Sequence, residues 1–578
     1  MGKEGGKILR KELAMEYILR IDVGRREFRK ERVVQEDLLI GGRGLSAKIL
    51  GQEVNPMCHP FDPGNKLVIA PGLLAGTMAP SFGRISVGAK SPLTKGIKEA
   101  NAGGTAAQKL DRMGIKAVVI EGEWQENQFL VVRIGQEGCE FLSADTLAGK
   151  KNYEVASSLR DRFGEKVAVV SIGPGGEMRM AAATVAVTDQ QGRPSRHAAR
   201  GGLGAVMGSK GIKAIVIDDS GASRVEIKDT EAFRKAVQSL VEALKADKGI
   251  PRGNSTFGTP GGVGFVNTLG SMPTRNYRSG SFEQAENFFG QTIKEINTRR
   301  GGTMHGCMPG CVIQCSIVFH GEDGGHITSA FEYETIVMMG SNLGIGDLDA
   351  IARMDRLCDE LGLDTIETGS AIAQAMEAGA LRFGDAEEVR KALEEIGKGS
   401  PLGRILGQGA AFTAQAFGLK RVPSVLGQAI PAHDPRVCKP VGVTYATSPM
   451  GADHTAGIDY RDPLSREGQV QKSKNAQIFM AALDSVGYCM LALPTRQPTI
   501  YPIIADLLNA RYGLALTAED IPKLGIKTIQ EELIFNRKAG IDPQRDYLPE
   551  FLKTEPLPPK NAVFDVPRGE IEAIWQAL

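Results

Sequence analysis

The chain has 578 residues, more than one hydrophobic core usually serves, so two to four domains are expected. Its 42% hydrophobic and 24% charged residues are ordinary for a globular protein. A formal net charge of +1 gives no reason to expect nucleic acid or an acidic membrane surface as a partner. No apolar run is long enough to span a bilayer, and residues 1–23 contain no apolar signal-peptide core, so a cytoplasmic protein without membrane insertion is expected.

The first 218 residues are predicted to form a β-rich domain. Short apolar or alternating runs recur there between glycine turns, namely EYILRIDV, NKLVIA, KAVVIEG, QFLVVRI, KVAVVSIG and GIKAIVIDD. No tandem repeat at a fixed period is found. From about Glu226 the apolar spacing becomes helical, as in DTEAFRKAVQSLVEALKAD. The prediction is therefore an α+β protein, with a β-rich domain over 1–218 and mainly helical domains over 219–431 and 432–578.

Three of the 8 cysteines lie in one short segment. The stretch GCMPGCVIQCS places Cys307, Cys311 and Cys315 at a spacing of four residues. In a helix the outer two would be about 12 Å apart, and Pro309 and Gly310 would break a helix there. A loop that gathers three thiolates is therefore predicted, and this pattern with a remote fourth cysteine favours an iron–sulfur cluster.

Two alternatives to a cluster stay open from the spacing alone. A zinc site would need a fourth ligand such as His305 or His320, since no second C-x2-C pair exists. The three cysteines could also be buried free thiols. For a cluster, the fourth ligand must be one of the remaining cysteines, which are Cys58, Cys139, Cys358, Cys438 and Cys489.

One short motif occurs twice. DELGLDT, which starts at Asp359, and DSVGYCM, which starts at Asp484, share an Asp-x-x-Gly pattern after a helical apolar run. The glycine suits a helix C-cap, and the carboxylate below it can accept N–H bonds from a ligand. Two copies indicate two equivalent ligands or two halves of one, although each copy alone would also fit an ordinary helix end. Cys489 falls inside the second copy.

Two glycine-rich loops of the β-rich region carry arginine. FGRISVGAKSPLTKGIKEANAGG contains Arg84, and HAARGGLGAVMGSKG contains Arg200. Glycines free backbone amides to face an anion, and the planar guanidinium suits a phosphate. Neither loop has the G-x4-G-K-[ST] spacing of a P-loop. Both are interpreted as phosphate-binding loops of another kind.

Taken together, these motifs resemble the tungsten-containing aldehyde:ferredoxin oxidoreductase family over nearly the whole chain. The resemblance implies a β-sheet base and two helical domains that enclose tungsten, or molybdenum, bound by two molybdopterins, with a [4Fe–4S] cluster nearby. The stretches that carry it are LLIGGRGLSAKIL, KSPLTKGIKEANAGG, RGGLGAVMGSKGIKAI, FEYETI, DELGLDT, GADHT and DSVGYC.

The resemblance assigns cofactor residues one by one. The pterin phosphates and a bridging Mg²⁺ are assigned to a set of loop residues, Arg84, Asn101, Gly103, Arg200 and Gly201. Pterin amines are assigned to the carboxylates of Asp359 and Asp484, with Asp364 supporting the first. The cluster is assigned to four cysteines, Cys307, Cys311, Cys315 and Cys489.

Two residues are catalytic candidates by the same resemblance. Glu334 in FEYET and His454 in GADHT match residues near the metal, and Glu332 and Tyr333 are adjacent to the first. Oxidising an aldehyde to a carboxylic acid releases protons, so a nearby acid or base is needed, and a histidine or a buried carboxylate can serve. Without the resemblance, His454 would be interpreted as a structural histidine and Glu334 as a helix-start carboxylate.

The chain departs from the family pattern in two places. The first cysteine pair is spaced C-x3-C, from Cys307 to Cys311, where family members often have C-x2-C. No Glu-x-x-His occurs, which makes a metal bridge between two subunits doubtful, although a homo-oligomer or hetero-oligomer can form without one. Cys438 lies near the expected active-site loop and is a possible further metal ligand.

The predicted function is aldehyde oxidation, with electrons leaving through the cluster to ferredoxin or a ferredoxin-like subunit. One alternative is the catalytic subunit of an aromatic acyl-CoA reductase of the benzoyl-CoA type. Another, from a different class, is a non-catalytic iron–sulfur relay or scaffold, against which the retention of Glu334, His454 and both Asp motifs argues. The substrate and the choice between tungsten and molybdenum are not decided by the sequence.

Overall fold

A computed structural model describes residues 16–125, 128–494, 500–542, 547–576 and 578. Most of the N-terminal stretch considered above, residues 1–15, therefore lies outside the described residues. Within the described ranges, no helix is both long enough and apolar enough to cross a membrane.

Six strands near the N-terminus form a mixed sheet. They are β1 (Tyr17–Asp22), β2 (Glu27–Arg32), β3 (Leu67–Pro71), β4 (Ile85–Lys90), β5 (Ile97–Ala102) and β6 (Ile115–Glu121), in the spatial order β2-β1-β6-β3-β4-β5. β1 and β6 run parallel, and the other neighbouring pairs are antiparallel. Helix α1 (Gly42–Glu53) connects β2 to β3, and α2 (Ala106–Arg112) connects β5 to β6.

A second six-stranded sheet repeats this topology strand by strand. It contains β7 (Leu130–Gly135), β8 (Gly138–Ser143), β9 (Ala168–Ser171), β10 (Val185–Val187), β11 (Arg196–Ala198) and β12 (Ile212–Ile217), in the order β8-β7-β12-β9-β10-β11. Again only the first and last strands, β7 and β12, pair in parallel. Helix α3 (Asn152–Phe163) precedes β9, the short α4 (Pro174–Glu177) follows it, and α5 (Leu203–Ser209) precedes β12.

The structure thus contains an internal repeat that the sequence analysis does not find. Its only clear trace in the sequence is GIKAVVIEG around β6 and GIKAIVIDD around β12. Elsewhere the two copies need only keep apolar residues facing the core, and many residues satisfy that requirement equally well. The repeat gives the molecule two equivalent edges on which equivalent sites can be built.

The two sheets pack face to face on a shared apolar core. Ile120 of β6 and Ile217 of β12 belong to this core, whereas their neighbours Val119 and Val216 face outward. Alternation of this kind is expected when each sheet is covered on both faces. α1 covers the outer face of the first sheet and α3 covers that of the second.

Helices make up most of the remaining chain. They are α6 (Thr230–Ala246), α7 (Ile250–Phe257), α8 (Val263–Leu269), α9 (Gly290–Arg299), α10 (Tyr333–Met339), α11 (Leu348–Leu361), α12 (Thr365–Glu377), α13 (Ala386–Lys398), α14 (Pro401–Gly407), α15 (Ala410–Ala416), α16 (Lys439–Thr447), α17 (Gln469–Val486), α18 (Ile500–Tyr512), α19 (Ile521–Lys538), α20 (Phe551–Thr554) and α21 (Arg568–Ala573). Sheets followed by helices confirm the predicted α+β class, while the domain limits at 218 and 431 stay predictions.

Two small sheets lie among these helices. An antiparallel sheet of β13 (Thr303–His305), β14 (Ser316–His320) and β15 (His326–Ser329) brackets the cysteine segment, because the three cysteines fall in the loop between β13 and β14. A two-stranded ribbon of β16 (Ser424–Val425) and β17 (Gln428–Ala429) leads into residues 430–438. The predicted loop conformation of the cysteine segment is therefore confirmed.

Candidate active site

The first Asp-x-x-Gly motif lies where helix α11 meets the second sheet. The helix ends at Leu361, and Gly362 follows in the left-handed region at φ 70°, as a C-cap glycine does. A Cβ on Gly173, in the turn after β9, would lie 2.3 Å from the carbonyl carbon of Leu361. The amide of Thr184 donates to the Gly362 carbonyl at 2.9 Å. Glycine is needed at Gly173 because any side chain there would push the helix end away.

The second motif meets the first sheet in the same way. Helix α17 ends at Val486, and Gly487 follows at φ 79°. A Cβ on Gly72, in the turn after β3, would lie 2.3 Å from the Gly487 Cα. The Arg84 amide donates to the Gly487 carbonyl at 3.2 Å. The C-caps predicted for both motifs are confirmed, and each motif rests on the equivalent turn of one repeat.

The Asp359 carboxylate is only partly satisfied within the protein. Its Oδ1 lies 3.1 Å from His197 Nε2, and the Thr184 hydroxyl lies 2.6 Å from His197 Nδ1. Its Oδ2 is buried without a hydrogen-bond partner, as is the nearby Tyr153 hydroxyl. Because a buried carboxylate oxygen is costly to leave unpaired, Asp359 fits a site that receives an N–H group from a ligand.

Asp364 and Arg200 hold the next part of this cradle together. Asp364 caps α12 by accepting from the Ile366 amide at 2.9 Å, and Arg200 Nε donates to Asp364 at 3.2 Å. The other Arg200 nitrogens donate to the carbonyls of Ala429 at 2.7 Å and Ala452 at 2.9 Å. The buried guanidinium thus faces protein acceptors, and its assignment to a phosphate stays a prediction.

The Asp484 carboxylate is held by two donors. Arg43 from α1 donates to Asp484 Oδ2 at 3.2 Å and makes a bidentate pair with Glu532 at 2.8 and 2.9 Å. Asn101 donates to Asp484 Oδ1 at 3.1 Å. Arg84 in turn donates to the Asn101 backbone carbonyl at 3.0 Å and to its side-chain oxygen. The structure therefore brings Arg84, Asn101 and Asp484 together, and their assignment to a pterin cofactor stays a prediction.

Burial perturbs the acids of this second cradle. Burial raises the pKa of Asp484 to about 6, although Arg43 and Arg84 oppose the shift. Burial and the Asp484 charge raise the pKa of Glu99 to about 8, and Ser86 donates to Glu99 at 2.6 Å. Two interacting carboxyl groups separate their titrations in this way. Both shifts disfavour the ionised forms, and the shift is larger for Glu99 than for Asp484.

The four predicted cluster cysteines lie close together beside this second cradle. Cys307, Cys315 and Cys489 are buried in one apolar cluster, and Cys311 packs against it half-exposed. Burial raises the pKa of Cys315 well above its ordinary value, and the other three thiols raise it further by their proximity. A Cβ on Gly103 would lie 2.8 Å from Cys307 Sγ, which explains the glycine at that position.

Arg196 is a site residue that sequence reasoning missed. Its guanidinium is buried, donates to Ser316 at 2.6 Å, and keeps Nε without a partner. Burial raises the pKa of the Cys307 thiol, and the charge of Arg196 counteracts that rise. A signal was present, because Arg196 directly precedes the stretch HAARGGLGAVMGSKG and lies four residues before Arg200.

The thiols do not form a site for a single ion. Among the residues the structure describes, no group of three or more His, Cys, Asp or Glu side chains could hold a metal ion. The two candidate zinc histidines are engaged elsewhere, since His305 lies 3.1 Å from Asp189 and His320 lies 2.9 Å from the Gly324 carbonyl. Four neighbouring thiols, with both candidate zinc histidines engaged elsewhere, fit the donor set of an iron–sulfur cluster better than a zinc site with a histidine ligand.

The two catalytic candidates lie together with a histidine that the sequence analysis missed. Glu334 Oε1 lies 3.5 Å from His454 Nε2 and 3.1 Å from His433 Nε2. Glu334 Oε2 accepts from the Ala432 amide at 2.8 Å. His433 is a lone histidine in the stretch QAIPAHDP, with no motif around it, so only the fold reveals that it belongs to the site.

This cluster stabilises an ionised carboxylate. Burial alone would raise the pKa of Glu334, but His454 and His433 lower it to about 2. Burial lowers the pKa of His454, while Glu334 and Asp453 oppose that shift. The His454 Nδ1 atom is buried without a partner, as is Glu334 Oε1 apart from its histidine contacts. A proton can therefore be exchanged between these residues and a bound molecule.

Aromatic rings surround His433. His433 stacks on Tyr333 with ring centroids 5.2 Å apart, and the Tyr460 hydroxyl lies 2.8 Å from its Nδ1. Tyr460 makes an edge contact with Phe265, whose side chain is exposed. Glu332, two residues before Glu334, accepts from Thr259 at 2.6 Å instead of joining the cluster.

Cys438 lies apart from the four cluster cysteines. Its thiol is buried, donates to the Asp459 carbonyl at 3.7 Å, and has a pKa raised by burial. Its suggested role as a further metal ligand stays a prediction.

The site combines two carboxylate cradles, four adjoining thiols and a buried acid–base cluster. This combination is typical of a redox enzyme, and the comparison with protein families agrees. The model for the aldehyde ferredoxin oxidoreductase N-terminal domain matches residues 18–219, and the model for domains 2 and 3 of the same family matches residues 235–576. The chain belongs to the aldehyde ferredoxin oxidoreductase family, a family of oxidoreductases.

Individual relatives agree with this placement. The chain is 34% identical to the tungsten-containing aldehyde ferredoxin oxidoreductase of Pyrococcus furiosus over 547 residues, which is 90% of this chain and 88% of the relative. It is 33% identical to the enzyme of the same name from Thermococcus kodakarensis, over 93% and 91% of the two chains. It is 27% identical to the aliphatic sulfonate oxidoreductase, WOR-like subunit, of Pyrococcus furiosus, over 94% and 89%.

A solved structure shares the fold. The active site complex BamBC of benzoyl coenzyme A reductase, in complex with 1,5 dienoyl-CoA, aligns with a TM-score of 0.80 at 20% sequence identity. The alignment covers 96% of this chain and 92% of that chain. The α+β fold is thereby confirmed, and the family models and relatives confirm the resemblance found in the sequence.

Proposed function

We propose that the protein is a tungsten- or molybdenum-containing bis-pterin oxidoreductase that oxidises aldehydes to carboxylic acids. The observation that carries this proposal is the buried Glu334–His454–His433 cluster, which lies with two carboxylate cradles and four thiols in one protein. The relatives at 33–34% identity are named for tungsten, aldehyde and ferredoxin, which supports the same assignment.

The chain offers separate residues for each part of the cofactor. Asp359, with its unpaired Oδ2, and Asp484 would accept N–H groups of the two pterins. Arg84 and the glycine-freed backbone around Gly103 and Gly201 would hold the phosphates, with Asn101 beside them for a bridging Mg²⁺. The bound metal would supply two-electron redox chemistry.

The acid–base cluster would manage the protons of the reaction. Aldehyde plus water gives carboxylic acid, two electrons and two protons, so one group must accept protons near the substrate. His454 is neutral at physiological pH because burial lowers its pKa, and it can take a proton while Glu334 stabilises the resulting imidazolium. His433 contacts the same Oε1 atom of Glu334 and is a second group there that can accept a proton. The Tyr460 hydroxyl keeps His433 oriented.

Electrons would leave through a [4Fe–4S] cluster held by Cys307, Cys311, Cys315 and Cys489. Cys311 is the least buried of the four, and its neighbours Val312 and Gln314 are exposed. This side of the segment therefore reaches the surface. We infer that ferredoxin or a ferredoxin-like subunit receives the electrons there.

The first test is elemental analysis of anaerobically purified protein. About one tungsten or molybdenum and four iron atoms per chain are expected, followed by aldehyde-dependent reduction of a viologen dye. Iron without tungsten or molybdenum in freshly prepared protein would contradict the pterin assignment, and zinc without iron would contradict the cluster. His454→Gln should abolish dye reduction with the metal content unchanged, whereas unchanged activity would exclude it as the acid–base group.

A second candidate function, reduction of an aromatic acyl-CoA, is favoured only by the fold of the solved relative. The same dye assay separates the two, because reduced viologen would then be consumed when an aromatic acyl-CoA is added. A non-catalytic relay would show iron but neither reaction.

A further inference from the structure

We propose that the buried Lys98–Asp453 ion pair is the positioning device of His454, and that Lys98 is a positioning residue for the acid–base step. The proposal rests on the proposed function, since it assigns how the loop of the catalytic histidine is held. It concerns a lysine that neither a motif nor the family resemblance singled out.

Lys98 reaches the loop from strand β5. Its ammonium group pairs with Asp453 Oδ2, and the two side chains are 0% and 5% exposed. A Cβ on Gly201 would lie 2.3 Å from Lys98 Cγ, so the glycine at 201 leaves room for the lysine stem. The lysine therefore crosses from one repeat, past the glycine turn of the other, to the residue that precedes His454.

Asp453 uses its second oxygen to shape the turn that carries His454. Its Oδ1 accepts from the Thr455 amide at 3.0 Å and from the Thr455 hydroxyl at 2.8 Å. The preceding carbonyl, that of Ala452, accepts from Arg200 at 2.9 Å and from Gln428 at 2.6 Å. His454 thus lies between two anchored residues, and both repeats supply a cation that fixes its loop.

The pair also controls the charge that His454 experiences. The charged groups facing the imidazole are Glu334 from α10, His433 from the 430–438 loop, Arg200 from the turn before α5, and the adjacent Asp453. Lys98 compensates the Asp453 charge, because a carboxylate buried so deeply is costly unless it is paired. With the pair intact, the nearest uncompensated anion at His454 is Glu334.

Removing one member of the pair at a time should move the His454 pKa in opposite directions. Lys98→Met keeps the stem but leaves Asp453 unpaired, so the pKa of His454 should rise by about one unit. Asp453→Asn leaves the ammonium group uncompensated, so the pKa should fall. The double variant removes both charges and should return close to the wild-type value.

The matched control is Lys213 of strand β12. It is also fully buried and pairs with a carboxylate, that of Glu177, but it lies in the other sheet and is not one of the charged groups that face His454. Lys213→Met should destabilise the protein in a similar way without moving the His454 titration. This separates a specific electrostatic role from the general cost of an unpaired buried charge.

The decisive measurement is an NMR titration of the anaerobic holoenzyme labelled with ¹³C in its 7 histidines, with His454→Gln used for assignment. Opposite shifts in the two single variants, reversal in the double variant and none in Lys213→Met would support the proposal. An unmoved His454 titration in folded Lys98→Met, or an equal shift in Lys213→Met, would overturn it. If Lys98→Met does not fold, the direction of the shift in Asp453→Asn decides between the same two outcomes.

Turnover provides a second readout. Lys98→Met should lose at least about tenfold in kcat with tungsten or molybdenum and iron retained, because a loosened loop misplaces the acid–base group. The titration needs no substrate. Failure of the wild-type protein to oxidise any aldehyde would therefore overturn the proposed function, while the role of Lys98 would still be decided by the NMR result.

Discussion

The two Asp-x-x-Gly cradles share their backbone but differ in what holds the carboxylate. Each rests through a C-cap glycine on the equivalent turn of one repeat, at Gly173 or at Gly72. Asp359 is held by the imidazole of His197 and keeps one oxygen unpaired, whereas Asp484 is held by the permanent cation Arg43 and by Asn101. Duplicated topology has thus been combined with different electrostatics.

The difference follows the position of the thiols. The Asp484 cradle adjoins Cys489 on its own motif and Cys307 through Gly103. A cation clamp there fixes the carboxylate within the protein, whereas in the Asp359 cradle one oxygen is left for the proposed ligand. A repeated backbone therefore does not imply two equal binding sites, because distant side chains such as Glu532 determine the charge around each carboxylate.

The largest expected effect comes from removing the clamp of the Asp484 cradle. Arg43→Met leaves two buried carboxylates, Glu532 and Asp484, without their cation, and should lower the free energy of unfolding by about 3–5 kcal/mol. Urea denaturation measures this loss. Adding Glu532→Gln should recover part of it. A loss as large from His197→Gln in the other cradle would contradict the asymmetry between the cradles.

The glycine contacts test whether the two cradles are equivalent in backbone. Gly72→Ala and Gly173→Ala each place a Cβ 2.3 Å from the opposing helix end, and each should cost about 1–3 kcal/mol. Thermal unfolding of the two variants side by side measures the cost. Gly64→Ala, where no atom lies within 4 Å of the added Cβ, is the control. A neutral Gly173→Ala beside a severe Gly72→Ala would show that only one motif is tightly docked.

The pH dependence of cofactor retention should differ between the cradles. The pKa of Asp484 is raised to about 6, so this carboxylate becomes protonated, and loses its capacity as an ionised acceptor, as the pH falls through 6. Pterin retention should then weaken up to about tenfold per pH unit below 6. Tungsten, molybdenum and pterin fluorescence in the filtrate after incubation at pH 5 to 8 measure it. Asp484→Asn should remove the dependence, and Asp359→Asn should leave it in place.

The smallest expected effect concerns single hydrogen bonds behind each carboxylate. Thr184→Val removes the hydroxyl that supports His197, and Ser86→Ala removes the hydroxyl that supports Glu99. Each should cost about 1 kcal/mol in urea denaturation. Only Ser86→Ala is expected to alter the pH dependence of retention, since the charges of Glu99 and Asp484 interact and the Asp484 charge raises the pKa of Glu99. An effect of Thr184→Val on that pH dependence would mean that a change in the Asp359 cradle alters the titration of the Asp484 cradle.

The sequence predicted the features that lie in local motifs. Gly362 and Gly487 are predicted to be C-cap glycines because each comes directly after an apolar helical run. The cysteine loop is predicted because Pro309 and Gly310 would break a helix. The proximity of Glu334 and His454 came from the family resemblance, because the two residues are far apart in the chain. The fold class and the family were also predicted from patterns and motifs that are visible in the sequence.

The features that were missed depend on contacts between distant residues. Nothing local marks Arg43 or Lys98 as a buried cation, since each is an ordinary basic residue until its partner is known. His433 joins the catalytic cluster only because residues 430–438 fold over α10. The internal repeat was also missed, but it does have a local trace. GIKAVVIEG and GIKAIVIDD are visible in the sequence and mark equivalent strands.

The position of Arg43 also limits how the chain can be dissected. It belongs to the sheet region by sequence, yet its guanidinium is enclosed by carboxylates from α17 and α19, and Arg511 of α18 reaches back to Asp111 at 3.0 Å. A cut near residue 220 would leave buried ions of opposite sign on separate fragments. Neither fragment is expected to fold by itself. Co-expressed halves would have to assemble with each other, because the buried ions of each fragment would find their oppositely charged partners only on the other.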